Sequence, residues 1–213
     1  MDFTLDIPQR CVVAAGAVGQ LGDETARLGC QRALIVTDPY HVDSGKVERI
    51  IASLAERGVE ASVYDGVTGE PTTDMVDTAL AQYQADACDG VIGFGGGSPL
   101  DIAKTVAVMV RQAGPVQSWM GLHQVGGPGV PCIAIPTTAG TGAEATKVVV
   151  ITDAKTDVKM MCLDRAFLPA VALVDYELTL TCPAALTAAV GVDALTHAIE
   201  AYVSRKANAF TDA

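Results

Sequence analysis

Short apolar runs alternate with segments of helical period through residue 138, and that alternation constrains the fold more than any other feature of the chain. "CVVAAG" (11–16), "ALIVTD" (33–38), "VEASVYDG" (59–66), residues 89–94 and "VPCIAIPTT" (130–138) read as strands. Val47, Ile50, Ile51 and Leu54 recur at i, i+3, i+4 and i+7, which predicts an amphipathic helix over 43–57 closing at Gly58. Val76, Ala79, Leu80 and Tyr83 repeat that spacing over 73–86; another helix is predicted over 99–112, and a weaker one between the first two strands. Apolar strands separated by helices are those of a parallel sheet covered on both faces, so the expected class is α/β.

Beyond residue 138 the pattern changes. "KVVVITD" and "VKMMCLD", joined by the polar "AKT", predict a hairpin over 147–164, and "AVALVDYE" (170–177) a further strand. From Pro183 the alanine-rich sequence turns helical. The expected organisation is one α/β domain over 1–180 and the first helices of another over 181–213.

With 213 residues, half of them hydrophobic, the chain has the material for a substantial core. A formal charge of −11 with no basic run argues against a non-specific nucleic-acid binder. No apolar stretch is long enough to cross a bilayer, and "MDFTLDIPQR" lacks the basic start and apolar middle of an export signal. The six cysteines are dispersed, without a C-x-x-C pair, and read as reduced thiols, mostly in the core. A cytoplasmic protein is expected.

The stretch "GVIGFGGGSPLDIAK" runs a predicted strand through glycines into a predicted helix. Ser98 suits the N-cap, Pro99 the first helical position and Asp101 the third. Unblocked N–H groups at such a terminus form an anion site that fits a pyrophosphate, although a plain strand–helix turn also uses glycine. The spacing departs from G-x-G-x-x-G, since Ser98 stands where the last glycine belongs. Asp38, ending a strand, is either a ribose acceptor that favours NAD over NADP or a turn-former in "TDPY".

Asp193 and His197 lie four apart, on one face of a predicted helix, and make either the first two ligands of a divalent transition metal or a structural pair. His41 and His123 read as exposed loop residues. In "IPTTAGTGAEAT", Thr137, Thr138 and Thr141 offer small hydroxyls suited to a phosphate, ribose or carboxamide, or to capping a loop.

Together, "GFGGGSPLDIAK", "PTTAGTGAEAT", "VITD" and "GVDALTHAIEAY", in this order, resemble the iron-containing (group III) alcohol dehydrogenases, of the dehydroquinate synthase-like fold. The resemblance implies a Rossmann-like parallel sheet with flanking helices and a β-hairpin, followed by an all-helical metal-binding domain. It implies adenosine-ribose contact by Asp38, pyrophosphate binding by Gly96, Gly97 and Ser98, and a phosphate and nicotinamide wall of Thr137, Thr138 and Thr141. Lys159 matches the lysine that reaches the cofactor ribose, and Asp193 and His197 match the first two metal ligands. The family's two other ligands are histidines further downstream, so the chain is expected to be a fragment. Two departures leave substrate preference open: Glu70-Pro71 where many relatives have Asn-Pro, and Val148 where some have a polar residue.

The activity implied is reversible oxidation of an alcohol to an aldehyde or ketone with NAD and Fe²⁺, Zn²⁺ being the other candidate. No side-chain base stands out in this sequence. Alternatives are a glycerol dehydrogenase or maleylacetate reductase, or a dinucleotide-binding module silent on its own. The expected partners are a small alcohol or aldehyde and a second copy of the chain, paired through an edge strand at 11–15.

Overall fold

The computed structural model describes residues 4–212. The strands and helices are β1 (Arg10–Val13), α1 (Leu21–Arg27), β2 (Arg32–Val36), α2 (Pro39–Asp43), α3 (Lys46–Ala55), β3 (Glu60–Tyr64), α4 (Thr73–Ala85) and β4 (Gly90–Gly95). They continue with α5 (Gly97–Met109), β5 (Gly121–Leu122), β6 (Cys132–Pro136), β7 (Val148–Thr152), β8 (Lys159–Leu163), β9 (Val171–Val174) and α6 (Ala184–Val203).

Six strands form a wholly parallel sheet in the order β1-β9-β6-β4-β2-β3. The predicted hairpin is present as antiparallel β7 and β8, and β5 adds in parallel to β8. Alternation along the central strands divides the core into two layers. Ala33 and Ile35 of β2, with Ile92 and Phe94 of β4, pack against Val47, Ile50 and Leu54 of α3. Leu34, Val36 and Val91 face the other way, onto Val76 and Ala79 of α4 and Ile102 and Val106 of α5. Both faces are therefore buried, as the unbroken apolar runs require.

The chain order reverses at the centre of the sheet. After β2 it moves outward to β3, then returns to lay β4 on the other side of β2. The loops leaving β2 and β4 thus diverge at neighbouring strand ends and open a crevice there, the place where open α/β sheets bind ligands.

Three expectations need correction. The helix predicted over 43–57 begins only at Lys46, and an unpredicted short helix precedes it: Asp38 accepts from the backbone N–H of His41 to cap α2, Pro39 opens it, and Gly45 at φ +72° breaks the chain before α3. Ser98 is not a cap, because α5 begins at Gly97 with Gly96 in the cap position and no side chain capping it. The last predicted strand stops at Val174, where Asp175 caps a 3-10 turn (Tyr176–Thr181) and also accepts from the N–H groups of Gly16 and Val18.

No helix among the described residues is long and apolar enough to cross a membrane. Cys30, Cys88, Cys132 and Cys162 are buried free thiols; Cys11 is exposed and Cys182 partly so. β1 lies at one edge of the sheet, with Val13 exposed.

Candidate functional site

The crevice widens into a cavity of about 1350 Å³ between the sheet ends and α6. All ten residues singled out from the sequence line it: Asp38, Gly96, Gly97, Ser98, Thr137, Thr138, Thr141, Lys159, Asp193 and His197.

The glycines divide the work at the β4–α5 junction. A Cβ on Gly93 would come within 2.9 Å of both Ala103 and Leu100, so its absence lets α5 lie close on the strand. Gly95 turns the chain at φ +148°, a conformation that disfavours side chains. A Cβ on Gly97 would stand 3.1 Å from Thr141 Cγ2, filling the gap between the helix start and the threonine loop. Since no side chain caps α5, the first N–H groups of this 13-residue helix lack intrahelical partners while Gly96, Gly97 and Ser98 line the cavity. Donors of this kind, at the positive end of a helix with a gap before them, fit a phosphate.

Behind this cradle sits a buried ion pair that the sequence reading did not identify. Lys104, 1% exposed, directs Nζ to the carbonyl oxygens of Ala143 at 2.9 Å and Val148 at 2.6 Å, and to Asp101 Oδ1 at 3.4 Å. Asp101 Oδ2 accepts from the Val150 N–H at 2.9 Å. Burial pushes the Asp101 carboxyl up against the pull of Lys104, and pushes the Lys104 ammonium down. The pair ties α5 to the loop that carries Thr141 and to the start of β7. Its spacing, three apart in a helix, was visible in the sequence, but nothing local said that the lysine points inward.

At the end of β2, Asp38 Oδ1 accepts from both the backbone N–H and the ring Nδ1 of His41. Partial burial pushes the Asp38 carboxyl up, but the His41 contacts outweigh it and hold the group below its ordinary value. His41 is itself buried, not an exposed loop residue as expected, because α2 turns its ring onto Phe94 of β4. His123 is exposed, as expected.

Lys159 opens β8 on the hairpin and meets Glu70 Oε2 at 2.8 Å across the cavity mouth. Both side chains are exposed, so the contact is worth at most about 1 kcal/mol and exchanges readily for another acceptor. Thr137 is buried; its N–H donates to the Gly95 carbonyl at 2.9 Å and couples the β6 end to the glycine turn.

Asp193 and His197 face the cavity from α6, with Oδ1 and Nε2 3.8 Å apart, too far for a hydrogen bond. Both are about half exposed, and the helix buries no residue. A carboxylate and an imidazole one turn apart, neither tied to the other, fit two positions of a divalent transition metal. Among the described residues no group of three or more His, Cys, Asp or Glu is placed to hold one.

The chain resembles characterised dehydrogenases over nearly its whole length. It is 39% identical to an NAD-dependent methanol dehydrogenase of Bacillus methanolicus over 207 residues, which are 97% of this chain and 54% of that protein. It is 44% identical to the lactaldehyde reductase of Escherichia coli K12 over 200 residues, 93% of this chain and 52% of the relative. The crystal structure of a 1,3-propanediol oxidoreductase superimposes with a TM-score of 0.96 at 36% identity, covering all of this chain and 56% of the other. The chain thus spans about half the length of the relatives it matches. The sequence profile of the iron-containing alcohol dehydrogenases matches residues 8–176, and that of the Fe-containing family's C-terminal region matches residues 187–213. With the cradle, the acidic strand end and the Asp193–His197 pair in place along those matches, the chain belongs to the iron-containing alcohol dehydrogenase family.

Proposed function

We propose that this chain binds NAD in the cavity at the sheet ends and, within a complete enzyme, takes part in the metal-assisted, reversible oxidation of a small alcohol to an aldehyde or ketone. The observation that carries this reading is the convergence of a phosphate cradle, a strand-end carboxylate and a carboxylate–imidazole pair on one cavity. Asp38 takes a ribose hydroxyl of the adenosine and disfavours a 2′-phosphate, so NAD is preferred to NADP. The α5 terminus holds the pyrophosphate. Thr138 and Thr141 supply hydroxyls beside it, and the Lys159 ammonium exchanges Glu70 for the cofactor ribose.

Asp193 and His197 would hold the metal, Fe²⁺ by family and Zn²⁺ by equal suitability of an N/O donor pair. Lewis-acid polarisation of the alcohol oxygen is the chemistry such an ion supplies, and hydride acceptance is that of the nicotinamide. Val148, Val190 and Leu186 give that side of the cavity an apolar wall suited to a small alkyl substrate. We also read residues 1–180 and 181–213 as belonging to different domains, the second being the start of a helical one. The protein is read as a cytoplasmic homo-oligomer, with β1 as the pairing edge.

The test is a thermal-shift titration with NAD, NADP and then Fe²⁺ or Zn²⁺. A ligand that binds only the folded state raises its stability, by about 2.7 kcal/mol at a hundred times its Kd. A larger shift with NAD than with NADP, and a further one with metal, is the expected result. Absence of any dinucleotide shift in folded protein would remove the cofactor reading.

A further inference from the structure

Asp38 is not left to find its own orientation. Its Oδ1 takes the backbone N–H of His41 at 3.0 Å and the ring Nδ1 at 2.7 Å. A carboxylate has no proton to give, so Nδ1 carries one in this contact, and both lone pairs of Oδ1 are engaged. The ring is fixed in turn: His41 is 5% exposed and lies edge-on to Phe94, with centroids 4.8 Å apart, and to Tyr40 at 5.3 Å. Oδ2 is the oxygen left over, and it faces the glycine turn: a Cβ on Gly95 would lie 3.5 Å from it. The carboxylate thus reaches the cavity with one oxygen spent and the other aimed beside the cradle.

We infer that His41 is a positioning residue for cofactor discrimination, fixing Asp38 so that Oδ2 accepts a ribose hydroxyl and meets any 2′-phosphate with its charge. The inference rests on the NAD reading of the cavity. Without the ring donor, only backbone N–H groups, those of His41 and Tyr40, hold the carboxylate. The carboxylate can then swing toward solvent, which weakens the ribose contact and relieves the repulsion of a 2′-phosphate together.

Two variants separate the donor from the ring. His41→Phe keeps an aromatic against Phe94 and has no donor. His41→Asn gives up the ring, but its side-chain amide nitrogen occupies the place of Nδ1. Dissociation constants for NADH and NADPH are measured by fluorescence titration of the 213-residue chain, with thermal melts to show that each variant is folded. The preference of the unaltered protein for NADH should persist in His41→Asn and fall about tenfold in His41→Phe, the effect of losing one hydrogen bond to a charged group. Folded His41→Phe with an unchanged preference, or folded His41→Asn with a lost one, would overturn the inference. Should His41→Phe not fold, His41→Leu, which also lacks the donor, takes its place with the same expected loss. An unaltered protein that binds neither dinucleotide would overturn the NAD reading and this inference with it. One that prefers NADH in every variant would overturn this inference alone.

Discussion

The two walls of the cavity are built on different physical terms. At the sheet ends the framework of the site is braced: the Gly95 turn by the Thr137 N–H, the threonine loop by Lys104, and Asp38 by His41. On α6 the pair Asp193 and His197 is placed by helical periodicity alone, on a helix with no buried residue. The cradle is therefore preorganised, and a dinucleotide bound as proposed would meet donors already in position. The α6 wall presents two donors without a shell to orient them, a condition that in metal sites lowers affinity. Within one cavity, the sheet-end wall is held by tertiary contacts and the α6 wall is not.

That contrast breaks most easily at Lys104. Lys104→Met leaves Asp101 buried without its cation and releases the carbonyl groups of Ala143 and Val148. Loss of one partner from a buried pair costs about 3–5 kcal/mol, measurable by urea denaturation. A smaller loss than that would mean that the pair is not what holds the threonine loop to α5. Gly97→Val tests the cradle without touching its support. A side chain there closes the gap to Thr141, and NAD affinity should fall roughly tenfold or more, about 1.4 kcal/mol, by isothermal titration. Retained affinity would remove the α5 terminus from the phosphate site.

Much of the sheet-end wall was legible in the sequence. The unbroken apolar runs place β2 and β4, and the glycine run between a strand and a helix marks the turn at Gly95. Harder to see was anything fixed by tertiary direction. "TDPYH" already contains a capping aspartate and a helix-opening proline, yet with no apolar period of its own the five-residue α2 goes unpredicted beside the strong period of α3. Without α2, His41 reads as a loop residue instead of a buried clamp. Lys104 was invisible for a related reason: a lysine on an apolar helix reads as snorkelling until its three acceptors, two of them from the loop and strand around 143–148, are brought to it. On α6 the reverse holds. The i, i+4 spacing of Asp193 and His197 was plain, and folding adds only their common aim into the cavity.

Acid should touch the braced wall in a defined window. Asp38 has its folded value held below the ordinary carboxylate near 3.9, so its contribution is complete above that value and is lost as pH falls through the lower, folded one. Dinucleotide affinity followed from pH 6 downward should decline at the acid end, and Asp38→Asn should remove that part of the decline. An unchanged profile in the variant would assign the acid sensitivity to another group.

The smallest effect is expected where the wall is least braced. Replacing Asp193 and His197 together by alanine takes away two half-exposed side chains that neither pack in the core nor bond to each other. Such changes usually stay within about 0.5 kcal/mol, so the urea midpoint should hardly move. Any thermal shift with Zn²⁺ should vanish in the same variant, because the remaining histidines, His41 and His123, lie in the Asp38 clamp and on an exposed loop. A stability loss approaching that of Lys104→Met would show that α6 is anchored through these two side chains, and the contrast between the walls would collapse. Unchanged stability with a persisting Zn²⁺ shift would move the metal elsewhere and leave the pair a feature of the helix surface. The informative outcome is the uncoupled one, metal binding lost and stability kept, because it would place the metal function on a surface that folding does not need.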